Sequence, residues 1–126
     1  MPAAILKGHD ILLVEDSLII ALDAEDIATR LGADNVTTAA TVEGALDNID
    51  ANRPTVAMLD INLGDRTSYP IADRLAELGI PFMFATGYGD QAQLPMNHRG
   101  RLIVQKPYTL ENVARAMDSL VGHRQG

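Results

Sequence analysis

Apolar residues along this chain fall into two alternating kinds of run. Ile11-Leu12-Leu13-Val14 is unbroken, the pattern of a strand covered on both faces. Ile20, Ala24, Ile27 and Leu31 then recur at helical spacing. Ser17 is placed to cap that helix and Gly32 to stop it. The alternation repeats. Val36–Ala40 is a weaker strand, and Thr41 caps a short helix with Val42, Ala45, Leu46 and Ile49 on one face. Pro54 opens a strand over Thr55–Leu59, a polar loop runs from Asn62 to Ser68, and Ile71, Leu75 and Leu78 mark a third helix ending at Gly79. Pro81–Ala85 and Leu102–Val104 read as the fourth and fifth strands. Between them Gly87, Gly89, Pro95 and Gly100 interrupt Thr86–Arg101, so any helix there is expected to be short and poor. Thr109 caps a final helix whose inner face carries Leu110, Val113, Ala114, Met117, Leu120 and Val121.

Alternating strands and helices predict an α/β fold: a doubly wound, five-stranded parallel sheet with helices on both faces and right-handed crossovers. The order 2-1-3-4-5, the flavodoxin-like one, is the common solution at this size. The 126 residues make one domain. Its core is expected over about residues 10–121, with short loose arms at Met1–Gly8 and Gly122–Gly126. No linker to a second domain is visible, so output is expected from this domain alone.

Composition narrows the class. The chain is 47% hydrophobic but only 4% aromatic, so Leu, Ile, Val, Ala and Met must build the core. A formal net charge of -7 disfavours a nucleic-acid partner, which needs a basic surface. No apolar stretch approaches the roughly 18 residues of a membrane span, and the start lacks the apolar core of a signal peptide. With no Cys there is no disulfide and no thiolate chemistry, which fits a reducing cytosol and a cytoplasmic protein. His9, His98 and His123 have no matched spacing and are expected at the surface rather than on a metal.

The chemistry sits at the strand ends. Glu15-Asp16 follows the first run, Asp60 the third, Thr86 the fourth, and Lys106-Pro107 the fifth. In an open parallel sheet those ends line the edge where ligands bind. The order therefore gathers carboxylates, a hydroxyl and an ammonium into one pocket. Converging carboxylates repel one another, and a hard divalent cation relieves that repulsion; Mg²⁺ suits Glu15, Asp16 and Asp60. A carboxylate can also attack phosphorus to form an acyl phosphate. The charge that develops on a transferring phosphoryl group would be met by Mg²⁺, Lys106 and the Thr86 hydroxyl.

With these motifs in order, the chain resembles a receiver domain of the response regulators of bacterial two-component signalling, over about Asp10 to Leu120. The resemblance implies that Asp60 is the phospho-acceptor and that Glu15 and Asp16 are the acidic pair holding Mg²⁺ with Asp60. It implies that Asn62 lends a backbone carbonyl to the metal, that Thr86 is the switch hydroxyl, and that Lys106 pairs with the phosphate. It also implies a cis Lys106-Pro107 bond. Phe84-Ala85-Thr86-Gly87-Tyr88 resembles the signature of a subgroup whose members are often stand-alone and partnered with sensor histidine kinases of the HWE type. One position departs from the common pattern. Receivers usually carry Tyr or Phe three residues before the lysine, where it rotates inward on activation, and here that residue is Ile103. Signalling is then expected to travel by ordering of the Thr86–Arg101 segment, through protein–protein contacts with a downstream target.

Other readings compete. Asp60-Ile61-Asn62-Leu63-Gly64 opens like a calcium loop, but Asp65 and Ile71 stand where such a loop needs Gly and Glu. Gly87-Tyr88-Gly89 lacks the third glycine of a dinucleotide site. A metal-dependent phosphatase with an Asp nucleophile would place a second acid two residues after it, where Asn62 stands. A receiver-like binding module that is never phosphorylated is the remaining alternative. The reading adopted is a phosphorylation-switched signalling protein, not an enzyme.

Overall fold

The computed structural model describes residues 4–87 and 94–122. Its elements are β1 (Asp10–Val14), α1 (Leu18–Arg30), β2 (Asn35–Ala39), α2 (Val42–Asn52), β3 (Val56–Asp60), β4 (Asn62–Leu63), β5 (Arg66–Thr67), α3 (Tyr69–Glu77), β6 (Phe82–Thr86), β7 (Ile103–Gln105) and α4 (Leu110–Met117). The main sheet is five-stranded, parallel, and ordered β2-β1-β3-β6-β7. Counting only these strands, that is the expected doubly wound order.

Period-two alternation divides the apolar runs between two cores. Leu12, Val14, Ala57, Leu59, Phe82 and Phe84 pack against α2 and α3. Ile11, Leu13, Met58, Met83, Ala85 and Val104 pack against α1 and α4. β3 is buried at every position, as a central strand of a doubly covered sheet must be. Each fully buried Leu or Phe contributes roughly 1.5–3 kcal/mol. The capping residues perform as expected. The hydroxyls of Ser17, Thr41 and Thr109 accept from the amides of Ile20, Gly44 and Asn112 at 3.4, 3.0 and 3.0 Å.

β3, β6 and β7 each end one residue later than their apolar runs suggest, whereas β1 ends at Val14 as expected and β2 ends at Ala39, one residue early. Asp60 pairs in register with Ala85, and Thr86 with Gln105, so both polar residues are the last rungs of their strands. The ladder is a backbone property and does not stop where the side chain becomes polar.

Three expectations are corrected. The polar loop after β3 contains a hairpin, β4–β5, with Leu63 buried and Gly64 at φ 64 making the turn. The amino-terminal arm is not loose over Ala4–Gly8. Leu6 is fully buried in the α1–α4 core, and its amide donates to the Leu31 carbonyl at 2.8 Å. Gly32 permits this approach, because a Cβ there would stand 2.9 Å from the Ala4 Cα. His98 is not a surface residue but is 1% exposed. In the irregular Thr86–Arg101 segment the helix among the described residues is as short and poor as expected, a single 3₁₀ turn at Met96–His98, and Leu94 is buried. Tyr88, Gly89, His123 and the rest of 88–93 and 123–126 lie outside the described residues, as do residues 1–3. No helix among the described residues is long and apolar enough to cross a membrane.

Candidate functional site

β1, β3, β6 and β7 run in parallel, so their carboxyl ends meet at one edge of the sheet. Glu15 follows β1 directly, its amide held by the Ala39 carbonyl at 3.0 Å. Asp60 closes β3. Glu15 and Asp60 are buried at 3% and 5% exposure, whereas Asp16 is exposed. Carboxylate oxygens of all three lie within 4.8 Å of one another. Thr86 closes β6, buried, and its carbonyl accepts from the Lys106 amide at 2.9 Å. That bond carries β7 one residue further and delivers Lys106 to the pocket. The Lys106-Pro107 peptide is cis.

The Lys106 ammonium bridges the two buried acids. Nζ donates to Glu15 Oε1 at 3.1 Å and to Asp60 Oδ2 at 3.2 Å. The other Glu15 oxygen, Oε2, accepts from the Ser17 amide at 3.0 Å. Glu15 is therefore held at both ends, between the first turn of α1 and the lysine. Burial and the neighbouring Glu15 carboxylate push Asp60 up from 3.8 to about 6, against the pull of Lys106; Asp16 adds to the rise. Burial opposes charge on Lys106, but hydrogen bonds and charge from Glu15 and Asp60 outweigh it and hold its pKa above the ordinary value.

The structure thus brings Glu15, Asp16, Asp60 and Lys106 into mutual reach and sets Thr86 on the adjoining strand end. Asn62 opens the hairpin that follows Asp60, and that hairpin borders the acids: a Cβ on Gly64 would stand 4.0 Å from Asp16 Oδ2. Ile103 lies on the edge strand, 41% exposed. An all-oxygen donor set at this spacing suits a hard cation rather than zinc or copper, which favour nitrogen and sulfur.

Sequence reasoning missed two contributors. The sequence marks Ser17 only as a cap, yet its amide also orients Glu15. Tyr108 belongs to none of the motifs. It is buried at 7% exposure, and burial with the charges of Glu15, Asp60 and Asp23 raises its pKa. With Ile20, Asp23, Gly87, Lys106 and Pro107 it lines a cavity of about 330 Å³ beside the acids. The available signal was an aromatic residue directly after Lys-Pro in a chain with few aromatics.

No family model matches the chain. Its fold and sequence are similar to SdrG from Sphingomonas melonis Fr1, with 40% identity over 91% of this chain and 96% of that one, at a TM-score of 0.79. The BeF3-activated conformation of SdrG gives 38% identity, 94% and 98% coverage, and a TM-score of 0.74. The receiver (REC) domain of the PhyR response regulator from Erythrobacter litoralis gives 25%, 94%, 92% and 0.74. A curated relative, the phyllosphere-induced regulator PhyR of Methylorubrum extorquens, is 26% identical over 119 residues. Those residues make up 92% of this chain and 45% of that protein, so the chain spans less than half the length of the curated relative it matches.

Proposed function

The chain belongs to the family of response-regulator receiver domains, and from that premise we propose that it is switched by phosphorylation of Asp60. The donor is a sensor histidine kinase. A carboxylate oxygen of Asp60 attacks the phosphorus of a phosphohistidine. The phosphorus–nitrogen bond breaks, its electron pair returns to the imidazole, and an acyl phosphate remains on Asp60. The observation that carries this reading is the placement of one ammonium, that of Lys106, against both buried carboxylates at 3.1 and 3.2 Å. A cation already seated beside the acceptor oxygen can follow the negative charge onto the phosphoryl group without leaving the pocket.

Glu15, Asp16 and Asp60, with the Asn62 backbone carbonyl, would hold Mg²⁺, which offsets the charge of the acids and of the incoming phosphoryl group. Glu15 stays oriented by the Ser17 amide. Lys106 neutralises Asp60 before transfer and pairs with the phosphate afterwards. Thr86 supplies the hydroxyl that reports the new group to the rest of the molecule. The Phe84-Ala85-Thr86-Gly87-Tyr88 run suggests the stand-alone subgroup and a kinase of the HWE type. PhyR is described as a stress response regulator, and a stress-signalling role with a protein target downstream is the parallel we draw. A cytoplasmic setting fits a chain without cysteine. A phosphatase reading is weaker, because Asn62 cannot act as the general acid two residues after the nucleophile.

Incubation with acetyl phosphate and Mg²⁺ tests the reading. The protein should gain one phosphoryl group by mass, labile to hydroxylamine, and Asp60→Asn should gain none. Labelling that persists in Asp60→Asn would overturn the assignment. Sustained turnover of phosphodonor, in place of a stable adduct, would favour the phosphatase.

A further inference from the structure

His98 is a buried polar side chain that the pocket chemistry does not use. It is 1% exposed and stands in the α2–α3 side of the molecule, edge-on to Phe82 and Phe84 at centroid distances of 5.8 and 5.9 Å. Both ring nitrogens are engaged. Nδ1 accepts from Arg101 Nε at 3.3 Å, and Nε2 lies 2.8 Å from Asp73 Oδ1 on α3. An arginine Nε can only donate, so Nδ1 carries no proton and the proton resides on Nε2, donated to Asp73. Asn97 adds a second hydrogen bond to the same carboxylate oxygen at 3.2 Å. The Arg101 guanidinium covers the Phe82 ring at 4.2 Å. The imidazole is thus clamped from α3, from β6 and from its own segment.

The clamp lies against the strand that ends in the switch hydroxyl. β6 presents Phe82 and Phe84 to His98 and closes at Thr86. Leu94, buried in the same core cluster as Phe84, secures the near end of the segment. The backbone hydrogen bonds of Leu94–Arg101 are short-range: the His98 amide on the Pro95 carbonyl at 2.8 Å, the Arg99 amide on the Met96 carbonyl at 3.3 Å and the Arg101 amide on the His98 carbonyl at 3.3 Å. A segment with so little regular structure is held by its anchors rather than by its own ladder.

We infer that His98, clamped between Asp73 and Arg101, is a latch that holds the Leu94–Arg101 segment on α3 and sets how readily the chain around β6 and Thr86 can rearrange. The inference rests on the phosphorylation reading only for what drives the rearrangement; the latch itself is a property of the resting protein. A latch that closes the resting state opposes any ligand that needs it open. Releasing it therefore raises the apparent affinity for such a ligand. His98 and Asp73 act here as positioning residues, since neither touches the acidic pocket.

The test has two arms. In the first, amide exchange is measured on the free full chain. Asp73→Ala and His98→Phe, the second of which keeps an aromatic ring beside Phe82 and Phe84, should speed exchange at the His98 and Arg101 amides by roughly five- to tenfold, the value of one charge-assisted hydrogen bond discounted for the exposed carboxylate. Amides of β1 and β3 should keep their rates, and Asp73→Asn, which retains an acceptor oxygen, should recover most of the protection. In the second arm, beryllofluoride with Mg²⁺ stands in for the phosphoryl group. Asp73→Ala should bind it roughly three- to tenfold more tightly than the parent, a direction that simple loss of stability would not produce. Unchanged exchange at His98 and Arg101, or beryllofluoride binding that is equal or weaker in Asp73→Ala, overturns the latch. A parent protein that takes up no beryllofluoride refutes the phosphorylation reading instead, and the exchange arm then decides the latch by itself.

Discussion

Replacing Asp60 by Asn should make the metal-free protein more stable at neutral pH, although it removes a charged partner of Lys106. The folded chain holds the Asp60 pKa at about 6 against an ordinary 3.8. A carboxylate so raised ionises more easily in the unfolded chain, so its ionisation works against folding. The penalty is absent below about pH 4, grows as the pH rises toward 6, and is complete above it at roughly 3 kcal/mol. Asn has the same shape and no charge, so it escapes the penalty. Lys106 keeps its bond to Glu15 at 3.1 Å, and its attraction for the Asp60 carboxylate is already contained in the raised pKa. The net gain is then roughly 3 kcal/mol near neutrality, a shift of about 1–2 M in urea midpoint for a domain of this size. Urea unfolding of parent and Asp60→Asn, with chelator, at several values between about pH 4 and pH 7.5 measures it. The gap should open with rising pH. An Asn variant less stable than the parent at neutral pH, or a gap that does not change with pH, would refute the account of Asp60 as a buried acid crowded by Glu15.

Three further outcomes are expected. Asp16→Asn removes an exposed carboxylate from the acid cluster and should weaken Mg²⁺ binding by roughly tenfold or more, which calorimetric titration would read; parent-like binding would exclude Asp16 from the proposed metal site. Lys106→Met strips the cation from two buried carboxylates 3.1 and 3.2 Å away. It should cost roughly 2 kcal/mol without metal, less than a fully buried pair because the lysine reaches the pocket rim. Mg²⁺ should restore most of that loss in denaturation experiments, and a deficit indifferent to Mg²⁺ would count against a shared cation site. Leu6→Ala should destabilise the fold by roughly 2–4 kcal/mol, and a loss below about 0.5 kcal/mol would mean that the amino-terminal arm does not pack as the structure has it.

The continuous apolar runs determined the parallel sheet, because only a strand buried on both faces is apolar at consecutive positions. With the sheet came the site: Glu15, Asp16, Asp60, Thr86 and Lys106 stand at or just after strand ends, and parallel strands bring those ends to one edge. Periodicity and caps likewise settled α1, α2 and α4, since Ser17, Thr41 and Thr109 act within their own first turn. What local pattern could not reach were contacts made across the chain. Leu6 is a lone apolar residue in a polar stretch, and only the approach allowed by Gly32 shows that it belongs to the core. Leu63 looks like a loop residue until β4 pairs with β5 and turns it inward. His98 has no partner at any sequence spacing that marks a ligand or a cap. Asp73 and Arg101 reach it from α3 and from the strand-end segment, and Phe82 and Phe84 close over it from β6. The charge state of the pocket belongs to the same class. A sequence places two acids and a lysine at neighbouring strand ends, but burial, which tertiary packing alone decides, sets how strongly they feel one another.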